Sequence, residues 1–517
     1  MYNLLHDPII GIRLSSGATE KVSLPALLHH LISEKVDSYT GLRAHQTDLW
    51  HVFLVQLGAS ILARHPENSV PKDDNDWRDG LLRLSEGSEN AWHLCVEDIT
   101  QPAFMQHPLV GTEDFENYSV SAHSPDELDI LVTAKNHDLK KARARGDAIE
   151  LWLYSLLSIQ TISGFLGSGH YGSIRMNGGF ASRSIVSMTS SLNPSLRFKD
   201  ELARVVKMFP ELCSTMGYSP DGTVLTWLKP WSRQEAQYTL ENLSPLFIEA
   251  VRPIRFLSDG PRLIAYGANS KTRQIGPISI DHGDIADPWT PINVADKKKG
   301  RSALTLSANG WTPKLLCNLL FQQGYELTAL QTSFPGKEPL WFTGSVVVRG
   351  QGKTEGFHKF SIPVPPKVRL KLFNRDAVDV LSQSAQELLN DAAAAERCLW
   401  LALMVLIEGG PESVSTNSPT AEVWTKSARA DFITDWQNRF FQALWRIDSP
   451  ENSKRVRAEW RAELISHARK TLFDSFSRVP LASARYYRAT VLAEATFNRR
   501  IKSVGLTSTE AKEPTHD

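Results

Sequence analysis

The chain has 517 residues, 42% hydrophobic and 22% charged, and its 57 Lys and Arg equal its 57 Asp and Glu. Length and composition predict a globular protein of several domains and exclude a disordered or membrane-spanning chain, because no apolar run reaches the roughly 20 residues that cross a bilayer. Balanced charge excludes a general pull toward nucleic acid, so any polyanion site must be local.

MYNLLHDPIIGIR at the start lacks the basic region and apolar core of a secretory signal, and a cytoplasmic location is expected. Residues 1–370 mix strand-like runs (LTWL, RLIAYG, SVVVRG, FSIPV) with helical stretches and many Gly and Pro turns, the texture of a mixed α/β domain. LHHL puts His29 and His30 on a helical run, where adjacent side chains face different ways, so a shared metal is not expected. Cys95, Cys213, Cys317 and Cys398 form no C-x-x-C pair and read as buried, reduced thiols.

Next comes ILVTAKNHDLKKARARGD, a strand-like apolar run followed by Lys135, Asn136, His137, Lys140, Lys141, Arg143 and Arg145. A charge run is usually a solvated face, but Asn pairs bidentately with adenine and neighbouring cations hold phosphates.

GFLGSGHYGSIRMNGG carries G-x-G-x-x-G at Gly167, Gly169 and Gly172. A dinucleotide fingerprint needs a strand before its glycines, a helix after them and an acid about 20 residues on. Here IELWLYSLLSIQTI has helical spacing, SIRMNGGFASRS starts no firm helix, and 151–199 contains no Asp or Glu while Arg175, Arg183, Arg197 and Lys199 supply positive charge. Two readings stay open: a glycine-rich surface turn, or glycines that let backbone N–H groups approach a polyanion closely.

NSKTR offers Lys271 and Arg273, whereas ADKKKGR, with Lys297, Lys298, Lys299 and Arg301, reads as a solvated loop. In VRGQGKTEGFHKF, Gly352, Lys353 and Thr354 stand in the order that ends a P-loop, yet the first P-loop glycine would fall at Val347, and Pro363, Pro365 and Pro366 bar the helix it must open. The better reading is a hairpin: SVVV leads up, RGQGKTEG turns, and FHKFSIPV returns. Its turn presents Gln351, Lys353 and Thr354, whose polar groups can address base edges.

From about 376 the texture is helical, with a stop at Gly409, Gly410 and Pro411, then further helices near 421–447, 452–475 and 481–502. Trp424, Phe432, Trp436, Phe440 and Phe441 recur at helical spacing. The predicted class is α+β: a mixed α/β domain over 1–370, a C-terminal antiparallel four-helix bundle over 371–505 and a polar tail over 506–517. Glu387, Glu396 and Glu408 lack the E-x-x-H of a di-iron site, and H-E-x-x-H, G-x-S-x-G and H-x-E with C-x-x-C are absent. No enzyme activity, metal or cofactor is expected.

In order, NLLHDPI, QPAFMQ, TAKNH, GFLGSG, DPWTP, the hairpin ending in FSIPV and a final helical bundle resemble the CasA family, the large subunit of the type I-E CRISPR Cascade complex. The resemblance implies a subunit that recognises the protospacer-adjacent motif (PAM) in double-stranded DNA from the minor-groove side, starts strand separation, and licenses recruitment of a helicase-nuclease. It implies as partners the target DNA, the guide-RNA-bound backbone, small and 5'-handle-binding subunits, and that nuclease, with no membrane. Carried over by position, the glycine loop is Gly164, Gly167, Gly169 and Gly172. The supporting loop is Lys135, Asn136 and His137, and the wedge is Gln351, Lys353 and Thr354. The lysine is Lys271, beside Arg273, with Lys353 its competitor. The family presents a glutamine near the wedge tip, whereas the register read here puts Thr354 there and Gln351 a few residues earlier. A purely structural ribonucleoprotein subunit and a nucleotide-binding enzyme using 167–172 or 352–354 are the alternatives.

Overall fold

A computed structural model describes the chain apart from residues 1, 66–68, 132–145, 147, 179–182, 261, 277–281, 298–299, 351–352, 374, 411–413, 415–417, 480–482 and 507–517. Two compact units divide it, Met1–Trp311 with Gln322–Pro366, and Thr312–Phe321 with Lys367–Asp517.

The first unit is organised by the helix Ala44–Arg64, buried on every side from Asp48 to Leu62. A helix covered all round belongs to a core rather than to a surface. It packs on the helix Pro194–Met216 at Gly58, where an added Cβ would come within 3.2 Å of both Phe198 and Leu202. Edge-to-face contacts at 5.8 Å link Phe53 to Phe104 and Phe104 to Trp227, filling the core with rings. The helix Leu24–Ile32 carries His29 and His30 to separate partners, Asp74 at 3.1 Å and Glu20 at 3.3 Å, as their adjacency predicted.

Sheets of two or three strands cover this core. RLIAYG forms the middle strand Arg262–Gly267 between Ser119–Ala122 and Ile254–Asp259. The predicted hairpin is longer than its sequence reading, pairing Leu340–Gly350 with Lys353–Val364, and Ile185–Thr189 flanks it. Ile130 and Leu131, read as the end of a strand, form a turn instead. The Asp129 carboxylate accepts from Leu131 N at 2.9 Å, Gln46 Nε2 at 2.7 Å and His45 Nε2 at 2.8 Å, which bends the chain out of an extended path.

A charged chain runs through the core of this unit. Arg197 donates to Asp48 at 2.6 Å and to Glu201 at 2.9 Å, Glu201 also accepts from Trp289 Nε1 at 3.0 Å, and Lys359 of the hairpin reaches Asp48 at 3.1 Å.

The second unit holds the helices Arg375–Glu408, Pro419–Leu444, Pro450–Arg478 and Ser483–Ser503, with Pro313–Leu320 packed on the first of them. Two begin at Ser-Pro: Ser418 accepts from Ala421 N and Ser449 from Asn452 N, with proline at the first helical position, so each starts two residues before its predicted start. Phe432, Trp436, Phe440 and Phe441 are buried, whereas Trp424 is 38% exposed. Glu387 pairs with Arg457 at 2.8 Å and Glu396 with Arg429 at 3.5 Å, so these acids staple helices. Cys95, Cys317 and Cys398 are buried and Cys213 half-buried, all four as free thiols. The predicted tail lies, beyond Leu506, outside the described residues.

Asp391 receives two hydrogen bonds from Arg457, at 2.7 and 3.1 Å, and two from Arg461, at 2.8 and 3.0 Å. Burial alone would raise its carboxyl, but these arginines hold it below the usual range. Asp391→Ala leaves Arg457 with Glu387 alone and Arg461 without its acid, and is expected to destabilise the bundle by about 2–3 kcal/mol, read as a lower melting midpoint by circular dichroism.

Candidate nucleic-acid interface

The helix Ile149–Thr161 delivers the chain directly into the glycine loop, and the 174–178 segment after it is a turn. Strand, glycines and helix do not follow one another here, and Lys353 begins a strand, so neither glycine cluster has a nucleotide-binding context.

The loop closes on itself at its neck. A Cβ on Gly172 would lie 2.5 Å from the Gly164 carbonyl carbon and 2.8 Å from Phe165 N, so two backbones touch where any side chain would part them. At the tip, Leu166 N donates to His170 O and His170 N to Gly167 O, both at 3.0 Å. Gly167 at φ +131° and Gly169 at φ +81° adopt backbone that other residues enter only with strain.

Gly169 also joins the glycine loop to Lys271. Its carbonyl accepts from Ser270 N at 3.0 Å, and its missing Cβ would stand 2.9 Å from the Asn269 Cβ. On the far side Lys271 N donates to Arg233 O at 2.7 Å and Arg233 Nη1 to Asn269 O at 3.4 Å. Arg233 is itself ion-paired with Asp114 and lies over the Tyr118 ring at 5.2 Å. These loops enclose a polar cleft of about 760 Å³ lined by Ser168, Gly169, Arg233, Asn269, Lys271 and Asp114. Lys271 is exposed there and takes no ion pair among the described residues. Arg273 lies half-buried in a separate recess beside Tyr171, Gly172 and Glu249, where burial lowers its pKa against the pull of Glu249. The structure therefore brings Gly169 and Lys271 together and leaves Arg273 outside their cleft.

Beneath the loop sits a residue the sequence reading missed. Arg252 Nη2 donates to Ser163 Oγ at 2.8 Å and to Gly164 O at 2.5 Å, tying down the neck. Arg349, near the hairpin end, donates to Ile130 O at 2.6 Å. An arginine set in an apolar run, as in AVRPI and VVVRG, was the available signal.

The hairpin register corrects the wedge. Gly350 pairs with Lys353 and Arg349 with Thr354, after an irregularity between Val348 and Arg349. Thr354 thus belongs to the ladder rather than to the tip, because strand pairing persists further than the Gly-rich sequence suggests. Gln351 lies outside the described residues, as do Lys135, Asn136 and His137 of the supporting loop.

The positive charge expected from 151–199 is also corrected. Arg175 meets Glu249 at 3.1 Å, Arg183 meets Asp287 at 2.8 and 2.6 Å, Arg197 meets Asp48 at 2.6 Å, and Lys199 meets Glu34 at 2.6 Å. Acids distant in sequence neutralise all four. Arg301 is paired likewise, with Asp284 at 2.5 Å and Glu326 at 2.7 Å. Among the described residues no cluster of His, Cys, Asp or Glu is arranged to hold a metal, and no helix is long and apolar enough to cross a membrane.

No protein-family model matches the sequence, and no curated protein matches it significantly. Solved structures do match. Cse1 from Thermobifida fusca is 13% identical with a TM-score of 0.64, covering 98% of this chain and 99% of that one. CasA from Thermus thermophilus is 15% identical with a TM-score of 0.61, covering 97% and 99%. A chain of a CRISPR RNA-guided surveillance complex is 10% identical with a TM-score of 0.55, covering 97% and 99%. Over nearly its whole length, the chain has the Cse1/CasA fold.

Proposed function

We propose that the chain is a non-enzymatic large subunit of a guide-RNA surveillance complex of the type I-E kind. It recognises a short PAM flank in double-stranded DNA with the glycine loop and Lys271, and the 340–364 hairpin starts to open the duplex. The observation that carries this reading is the Gly169 O to Ser270 N hydrogen bond at 3.0 Å, which sets the glycine loop and the Lys271 loop side by side on one polar cleft. Backbone groups and a lysine suit the degenerate pattern of the minor groove, so several flanks are tolerated. Opening costs about 1.4 kcal/mol of stacking per base-pair step, and phosphate contacts offset the first step or two before RNA pairing takes over. A chain with no net charge suits a subunit held in place by guide-RNA-bound partners, which recruits a helicase-nuclease once the flank is read.

The internal pairing of Arg175, Arg183, Arg197 and Lys199 favours a second reading, a purely structural assembly subunit.

Lys271→Ala separates the two. Its side chain is exposed, so stability changes by no more than about 0.5 kcal/mol. In the reconstituted complex, discrimination among randomised flanks beside a matched target falls about fivefold, roughly 1 kcal/mol, while a pre-opened bubble binds unchanged. Flank selection that survives the substitution, or is absent from the intact complex, supports the structural subunit instead.

A further inference from the structure

The neck of the glycine loop rests on an arginine that has no carboxylate partner among the described residues. Arg252 is 5% exposed, and its Nε and Nη1 find no hydrogen-bond partner there either. Arg349, 9% exposed, leaves its own Nε unpartnered among the same residues. Burial and then the Arg349 charge bring the Arg252 pKa down to about 9, whereas at Arg349 burial is opposed by the charge of Asp129. Arg175, Arg183 and Arg197 are equally buried, and each of them holds an acid. A buried guanidinium without an acid costs stability, and this chain keeps one under the loop that borders its polar cleft.

In the same loop, the N–H groups of Ser168 and Gly169 donate to no described residue, whereas Gly167 is bridged to His170. Free backbone N–H groups in a loop whose neck is tied by a buried positive charge form a seat for an anion. The field of a buried charge is also screened by salt far less than that of a surface lysine.

We propose that Arg252, backed by Arg349, is the fixed charge that holds a DNA backbone phosphate against the glycine-loop N–H groups. This rests on the DNA-binding reading above. Arg252 is a positioning residue: it acts through its field and through the neck it ties, and the phosphate supplies the counter-charge that the protein omits.

Charge and tether are separable by substitution. Arg252→Gln keeps donors for Ser163 and Gly164 but loses the charge, whereas Arg252→Lys keeps the charge. In the reconstituted guide-RNA complex, Arg252→Gln is expected to weaken binding of the flank-bearing duplex about tenfold and to lower the salt slope by about one, with Arg252→Lys within about twofold of the parent. A second readout needs no DNA. Burial and then the Arg252 charge hold His170 below the usual imidazole range. In the full chain, an NMR titration of His170 therefore moves up in Arg252→Gln and stays in place in Arg252→Lys.

Gln tolerated while Lys is not would make Arg252 only a tether and overturn the proposal, as would an unchanged salt slope in both. If both variants fail to fold, Arg349→Gln must lower the slope by a similar amount, and no change there overturns it. A complex indifferent to the flank whose slope still falls in Arg252→Gln keeps the phosphate seat and removes the PAM reading.

Discussion

Asp48→Ala is expected to destabilise the first unit by about 3–5 kcal/mol, enough to leave many domains unfolded at 37 °C. Asp48 lies at 2.6 Å from Arg197 and 3.1 Å from Lys359, and the carboxylate and Arg197 are almost fully buried. Removing it strands the Arg197 guanidinium with Glu201 alone and leaves the hairpin lysine without this acid. The measurement is a chemical or thermal melt of the full chain. In the Asp48→Ala, Arg197→Ala double variant the loss should fall short of the sum by about 1–3 kcal/mol, because the second change removes the stranded charge.

The same network sets the acid limit. Burial alone would raise the Asp48 and Glu201 carboxyls, but Arg197, together with Lys359 at Asp48 and with His51 and the Trp289 indole at Glu201, outweighs it and holds both below the usual carboxylate range. A folded pKa below the unfolded value means stabilisation that is complete above the unfolded carboxylate range and lost as pH falls through the folded values. Melting temperature should therefore drop below about pH 4, and less steeply in Asp48→Ala, which has one such group fewer.

Gly172→Ala is expected to abolish flank selection while the helices persist. The new Cβ would lie 2.5 Å from Gly164 C and 2.7 Å from Gly164 Cα, and neither atom belongs to a side chain that can rotate away. The neck must open, at about 1–3 kcal/mol, moving Gly169 off the Lys271 loop. Gly167→Ala is the control, because nothing lies within 4 Å of its added Cβ and only the strain of φ +131° remains, about 1–2 kcal/mol. Flank selection in the reconstituted complex should vanish for Gly172→Ala and weaken for Gly167→Ala. Equal effects of the two would place the cause in backbone freedom rather than in the closed neck.

Much of the architecture was legible because its signals are local. Helical spacing in IELWLYSLLSIQTI, the Gly409 and Gly410 stop, and the hairpin FSIPV return all appear in place. The misreadings have one kind of cause. Ile130 and Leu131 read as part of a strand, but an acid at Asp129, held by His45 and Gln46 some 80 residues away, folds them into a turn. Thr354 read as a hairpin tip because Gly and Lys look like turn residues, yet Lys353 pairs with Gly350 and Thr354 with Arg349, so both belong to the ladder.

Period, capping and glycine placement, which act over a few residues, determined by themselves where helices run, which loop positions take glycine and which strands form the hairpin. Only the tertiary structure decided which charges are available. Four cations of an acid-free stretch are neutralised by acids between 74 and 165 residues away, with Arg197 also pairing within its own helix. Lys271 stays open, and Arg252 stays buried with no acid among the described residues. Charge pairing depends on distance in space, and a linear sequence does not hold that distance until the core has set it.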